Sequence, residues 1–356
     1  MTPIGIRRLL IAAVAAVTAV TVGLSPMASA APSATTGLYG AGDPTYDGVY
    51  RQSLAIAGLV ATGNRPAPAA ITWLLDQQCA DGSFQAYRAN LSAPCDASDP
   101  VNFTGPDTNS TATALMALTA LDKSIRTSRA VATRVASAAR KASTWLLRRQ
   151  NSDGGWSWSP GGASDANSTG LVASSLLTGR TTVRSPANRK ARLFLGRLSF
   201  SCAAGGGFPY QTGGKVDGSA TAQGLVGIAG AVPVSGPRRL AAAAPCANTA
   251  KAKAASYLAT QLAATGSLTS VFGTGPDITN TGWAILGLVS ARQGRAAVAK
   301  ATAALKAAAP AETRNEDGPV PGDLGLFLLV AEATGSTPTD FGGVDLVTTL
   351  TGSIRR

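Results

Sequence analysis

The chain repeats itself, and this repeat limits its fold more than any other feature. Trp73-Leu74-Leu75-Asp76-Gln77-Gln78 returns 72 residues later as Trp145-Leu146-Leu147-Arg148-Arg149-Gln150. Each copy runs into a matching turn, Asp81-Gly82-Ser83-Phe84 and Asp153-Gly154-Gly155-Trp156. Fainter copies begin at Phe194-Leu195 and Tyr257-Leu258, and the third ends in Gly206-Gly207-Phe208. A second motif follows each copy: Asp107-Thr-Asn-Ser-Thr111, Asp165-Ala-Asn-Ser-Thr169, Asp217-Gly-Ser-Ala-Thr221 and Asp277-Ile-Thr-Asn-Thr281. Asp47 and Asp323 open weaker relatives, and the six starts are spaced 60, 58, 52, 60 and 46 residues apart. Such a period describes stacked supersecondary units that share one core.

Two kinds of helix alternate in the repeat. Val131 to Arg149 places Val135, Ala139, Ala142 and Leu146 on one side with arginines between them, which gives an amphipathic helix with one wet face. Thr111 to Leu121 is apolar nearly all round, so it is expected to be buried on every side. Six such alternations predict an all-α fold, an (α/α)6 toroid of about six helical hairpins in two concentric rings. An open solenoid of the same hairpins is the structural alternative. The Asp that opens each second helix suits an N-cap, where its carboxylate accepts free N–H groups at the positive end of the helix dipole. The Thr four residues on can satisfy backbone groups locally.

Residues 1–30 do not read as fold. Arg7 and Arg8 precede an apolar run from Leu9 to Leu24, and Ala28-Ser29-Ala30 supplies a cleavage pattern. This predicts a signal peptide removed near Ala30, a secreted or envelope location and no permanent membrane span. The expected division is a flexible mature N-terminus at 31–42, a toroid at 43–335 and a C-terminal tail at 336–356. Four cysteines in an exported chain suggest two disulfides. Cys79 and Cys95 share a predicted loop. Cys202 with Cys246 is the remaining pair, but the repeat puts them at opposite ends of a helix that spans roughly 20 Å. Either the loop from Val232 to Ala244 folds back, or these thiols are free or paired otherwise.

The formal net charge is +12, from 31 Lys and Arg against 19 Asp and Glu. That balance favours acidic surroundings, so an acidic envelope polymer is one expected partner. The basic residues look spread over helix faces and form no nucleic-acid motif. Histidine is absent, which removes His triads, His bases and His metal ligands. No metal and no cofactor is expected, and the chain is expected to act as a monomer.

Lys141-Ala142-x-x-Trp145-Leu146-x-x-x-Gln150-x-x-x-Gly154-x-Trp156 resembles the Gln-Trp repeat of terpenoid cyclases. Those enzymes share their toroid with protein prenyltransferase β subunits, complement thioester domains and cobalamin carriers. The resemblance covers roughly residues 43 to 335. In that superfamily the Gln and the aromatic residue tie one hairpin to the next, so it implies fold more than reaction. Squalene-type cyclases are similar at Asp107 to Ala112, where they carry Asp-x-Asp-Asp-Thr-Ala with the central Asp as acid. Here Asn109 and Ser110 stand in the acidic positions, and neither donates a proton as a carboxylic acid does. The zinc site of the prenyltransferases needs a His, the thioester domains need Cys-Gly-Glu-Gln, and the cobalamin carriers add a β-rich domain; this sequence matches none of these.

With the leader pattern and these departures from each family chemistry, the chain is expected to be an exported toroid that binds a ligand or the envelope rather than one that catalyses. The alternatives are a cyclase-like enzyme with Asp107 or Asp165 as acid and a corrinoid carrier-like protein. The insertions Ala86 to Pro106 and Ser157 to Ser164 make the expected mouth. Phe103, Asp107, Asn109, Trp158, Asp165, Asn167, Phe208, Tyr210 and Asp277 are the candidate ligand contacts. An apolar or isoprenoid-like small molecule is the ligand class the resemblance implies.

Overall fold

Twelve helices and three two-residue antiparallel pairs make up the regular structure of the computed structural model, which describes residues 35–102, 104–124, 128–178, 184–230, 236–271 and 273–356. The expected leader at 1–30 lies outside the described residues. Among the described residues no helix is long and apolar enough to cross a membrane.

The odd-numbered helices are α1 (Gly48–Ala61), α3 (Thr108–Ser124), α5 (Ala166–Thr178), α7 (Gly218–Ala229), α9 (Ile278–Ala291) and α11 (Pro321–Thr334). Each packs on the next, and α11 packs back on α1, so they form a closed inner ring. This is the toroid rather than the open solenoid. The outer ring comprises α2 (Pro68–Asp76), α4 (Arg129–Arg148), α6 (Pro186–Leu198), α8 (Ala250–Thr265), α10 (Arg295–Glu312) and α12 (Leu346–Gly352). In α4, Ser128 caps the first turn by accepting from Val131 N–H, and Val135, Ala138, Ala142, Trp145 and Leu146 form the buried stripe.

Small residues let the inner helices approach closely. A Cβ on Gly170 of α5 would stand 2.1 Å from the Gln223 carbonyl oxygen in α7, and one on Gly325 of α11 would stand 2.3 Å from the Leu54 backbone in α1. Only glycine permits these contacts.

The Gln repeat ties hairpin to hairpin. Gln78 donates from Nε2 to the Ala138 carbonyl in α4 at 2.9 Å, and Gln150 does the same to Ala187 in α6 at 2.9 Å. Trp145 donates from Nε1 to Asp81 Oδ2 at 2.8 Å. The motif Thr has a longer reach than expected. Thr111, Thr169, Thr221 and Thr281 accept the backbone N–H of Phe84, Trp156, Phe208 and Leu268 at 2.8–3.0 Å. Each Thr hydroxyl therefore pins the turn that follows an outer helix onto the start of the next inner helix.

At the same rim, backbone bridges pair Gln85 with Pro106, Trp156 with Asp165, Phe208 with Asp217, Leu268 with Asp277 and Arg314 with Pro319. The sixth bridge joins the two ends of the chain, Tyr39 with Ile354. The segments on either side of the expected toroid pack onto it. Within the segment thought to be a flexible N-terminus, Leu38 and Tyr39 are fully buried, and Gln52 of α1 binds the Tyr39 N–H and the Gly37 carbonyl. The presumed tail carries α12, and Arg355 binds the carbonyls of Gly40 and Gly42.

Both disulfides form, Cys79–Cys95 and Cys202–Cys246, with Cα separations of 5.7 and 5.8 Å. The objection to the second fails because α8 starts high on the outer wall. Its fourth residue, Lys253, already packs on Gly206 in the turn just after Cys202. The chain after α7 first visits the far end, where Ala241 pairs with Arg292 and Arg295. It then climbs to Cys246, in place of the first turns α8 would otherwise have.

Candidate functional site

Beyond their first turns five of the six inner helices carry long stretches buried on every face. Gln52–Val60 of α1, Thr111–Leu121 of α3, Ser168–Leu176 of α5, Thr281–Ala291 of α9 and Leu324–Ala331 of α11 have no half-exposed member. The ring axis is therefore filled by side chains. Tyr50 of α1 lies near Trp283 of α9, although α11 stands between these helices in the ring, and burial pushes the Tyr50 hydroxyl above the ordinary phenol range. The first turns, together with Gln223 in the second turn of α7, leave polar groups part-exposed, which makes a shallow bowl at the rim.

Four motif aspartates cap their own helices. Oδ1 of Asp107, Asp165, Asp217 and Asp277 accepts the N–H of Ser110, Ser168, Ala220 and Asn280 at 2.7–2.9 Å. The outer two relatives differ. Asp47 makes no cap bond and pairs with Arg51 at 3.0 Å, while Asp323 lies inside the first turn of α11 behind Val320.

The two sides of the bowl differ in kind. On the α7, α9 and α11 side, the polar side chains of the rim bond one another. Ser219 donates to Asp277 Oδ2, Thr279 to Asp323 Oδ1, and Gln223 to Asn280 Oδ1, at 3.2, 3.2 and 3.0 Å. On the α3 and α5 side, Asn109 and Asn167 occupy the position equivalent to Ser219 and Thr279. Their Oδ1 atoms are buried without a partner.

The same side carries the perturbed acids and the aromatic rings. Burial pushes the carboxyls of Asp107 and Asp165 up to about 6, against the pull of their cap bonds. Trp158 donates its N–H to Asp165 Oδ2 at 3.2 Å, and its carbonyl accepts Thr108 N–H at 2.9 Å. Tyr210 accepts Ala166 N–H through its carbonyl at 2.9 Å, and its hydroxyl lies close to Asp165. Burial and that carboxylate push the Tyr210 hydroxyl up to about 12. Tyr210 remains 46% exposed as a residue, so it is open to a ligand.

Of the residues expected from sequence, Asp107, Asn109, Trp158, Asp165, Asn167 and Tyr210 thus gather on one side. Asp277 belongs to the self-satisfied side. Phe208 is corrected: it is fully buried against Gly224 and Leu195, so it is a core residue. Phe103 lies outside the described residues. Sequence reading missed Tyr50, Ser219, Gln223, Thr279, Asn280 and Asp323. Register was the available signal, since Tyr50 and Asn280 each stand three residues after a motif Asp. Among the described residues no cluster of acids and cysteines could hold a metal ion.

The sequence matches no protein-family model and no curated protein. Among solved structures, a glycosidase variant is 16% identical with a TM-score of 0.51, over 84% of this chain and 92% of its own. The ent-copalyl diphosphate synthase from Streptomyces platensis is 15% identical with a TM-score of 0.32, and this chain, over 81% of its length, spans 50% of that protein. A type II terpene cyclase from Scytonema, in complex with its product merosterolic acid A, is 15% identical over 85% of this chain and 95% of its own, with a TM-score of 0.32. At such identities the likeness is one of fold. The chain is an all-α (α/α)6 toroid, similar in fold to the glycosidase variant.

Proposed function

We propose that this chain is an exported, non-catalytic toroid that binds a hydroxyl-rich ligand, such as a sugar unit of an envelope polymer, on the α3–α5 side of its bowl. The observation that carries this reading is the pair of buried, unpartnered Asn109 and Asn167 amide oxygens, beside the exposed Tyr210. Side-chain amides bind hydroxyls in both directions, and an aromatic face packs on the apolar face of a sugar ring. Export is supported by the two disulfides, which suit an oxidising compartment. A non-catalytic role is supported by the caps, since each motif carboxylate on this side already spends Oδ1 on its own helix. An isoprenoid ligand fits this shallow polar lining less well than a hydroxylated one. Calorimetry with neutral oligosaccharides and with farnesol tests the choice. Sugar binding lost in Asn109→Ala and Asn167→Ala supports it, and binding of farnesol alone overturns it.

A second reading rests on the acids. Asp107 and Asp165 at about 6 would be protonated in part near neutral pH, as a general acid requires. Incubation with prenyl diphosphates and oligosaccharides, followed by mass spectrometry, tests it. A product lost in Asp165→Asn would establish an enzyme.

A further inference from the structure

The charge of this chain is concentrated in one arc of the toroid. Residues 123–276 hold 19 Lys and Arg against three acids, Asp153, Asp165 and Asp217. Everything else holds 12 Lys and Arg against 16 acids. Two of the three acids in the basic arc, Asp165 and Asp217, are helix caps on the inner ring and leave the outer wall untouched.

The fold gathers this excess further. Helices α4 and α6 are successive staves of the outer ring, joined where Gln150 binds the Ala187 carbonyl. Neither helix contains an Asp or a Glu. Arg129, Arg134, Arg140, Lys141, Arg148 and Arg149 are exposed on or just past α4. Arg184, Arg189, Lys190, Arg192 and Arg197 are exposed on or just before α6. One ion pair among the described residues offsets this wall, Arg134 to Asp76 at 2.7 Å, and both partners are substantially exposed. An exposed pair of that kind contributes little, so it does not account for so many cations sharing one face.

We propose that the α4–α6 wall is a docking surface for a linear polymer carrying phosphate groups. Nine of the eleven cations are arginines, whose planar guanidinium binds phosphate oxygens in a bidentate way. Side-by-side helices spread these groups over a broad convex face, which a flexible chain can follow and a small anion cannot fill. The wall also lacks what a membrane surface would need. Its exposed apolar residues are Leu147 and Leu193, one on each helix, while Trp145 and Phe194 are buried. Bilayer insertion uses a contiguous apolar face rather than isolated leucines. This surface faces outward, away from the bowl, so it stands independently of the function proposed above.

The experiment compares two variants of equal net charge. The wall variant carries Arg140→Gln, Arg148→Gln, Arg184→Gln and Arg192→Gln. The control carries Arg65→Gln, Arg295→Gln, Arg314→Gln and Arg356→Gln, which are exposed cations elsewhere. Both are first checked for folding by circular dichroism and thermal melting. Binding is then measured to inorganic polyphosphate and to vesicles of phosphatidylglycerol in phosphatidylcholine, across a salt series. Polyphosphate affinity is expected to fall at least about tenfold in the wall variant and less than about twofold in the control, and to weaken steeply with salt. Equal losses in the two variants would mean that net charge alone attracts the polymer, and would overturn the proposal. Binding to vesicles without binding to polyphosphate, or no binding to either, overturns it as well.

Discussion

Trp158 donates its backbone N–H to Oδ2 of Asp165 at 3.2 Å, while Ser168 donates to Oδ1 of the same carboxylate at 2.7 Å. One acid thus joins its own helix to the loop that crosses to α3. Burial nevertheless outweighs these bonds and raises Asp165, like Asp107, to about 6. In an acid whose folded pKa lies above its unfolded value, the fold disfavours the ionised form. These two groups therefore weaken the fold as pH rises from the ordinary carboxylate range through about 6, and the penalty is absent below that range. Asn caps a helix as well as Asp does. Asp107→Asn is expected to match or exceed the parent in urea midpoint near neutral pH, whereas Asp165→Asn loses the acceptor for the Trp158 N–H and is expected to fall below Asp107→Asn; both are expected to lose less stability between about pH 4 and 7. An unchanged pH slope in both variants would contradict the assignment.

Thr169→Val and Thr221→Val keep side-chain shape but remove the acceptor for the buried N–H of Trp156 and Phe208. Each should cost about 1–3 kcal/mol, the penalty of an unsatisfied buried donor. Thr302→Val is the control, because Thr302 bonds only the Val298 carbonyl one turn back in its own helix. Its cost should be clearly smaller. Chemical denaturation of the three variants separates a rim staple from ordinary burial.

Glycine contacts between inner helices predict opposite signs at different sites. Gly196→Ala in α6 meets nothing within 4 Å and should stabilise by up to about 1 kcal/mol through helix propensity. Gly170→Ala and Gly325→Ala drive a methyl into backbone at 2.1 and 2.3 Å. Backbone cannot rotate away, so overpacking of about 1–3 kcal/mol should outweigh the propensity gain. Thermal melting of all three variants checks the order.

Removing Cys202–Cys246, which closes 44 residues, should cost about 4 kcal/mol on loop entropy. Removing Cys79–Cys95, which closes 16, should cost about 3 kcal/mol. Paired Cys→Ala variants compared by urea denaturation test both the pairing and the order.

The helices and their alternation were legible because each depends on local pattern. Val135, Ala142 and Leu146 make a stripe at helical spacing, and Thr111 to Leu121 is too apolar to face water on any side. The aspartate caps were legible for the same reason, since an Asp bonds N–H groups within its own turn. Most of the candidate side of the bowl was visible too, through motif positions 107, 109, 165 and 167. Phe208 was misplaced because an aromatic after a Gly-rich turn looks the same in sequence whether it points into a core or a mouth.

Sequence by itself thus determined the number of hairpins, which helix of each is buried and where the four inner helices capped by Asp107, Asp165, Asp217 and Asp277 begin. Tertiary structure alone decided four things: the level at which α8 starts and so the Cys202–Cys246 bridge, the pairing of Tyr39 with Ile354, the approach of Tyr50 to Trp283, and the gathering of cations from α4 and α6 on one wall. The physical reason is common to all four. Hydrophobic period and capping act over one or two turns, whereas these features are distances between residues tens to hundreds of positions apart. Only closure of the ring fixes such distances.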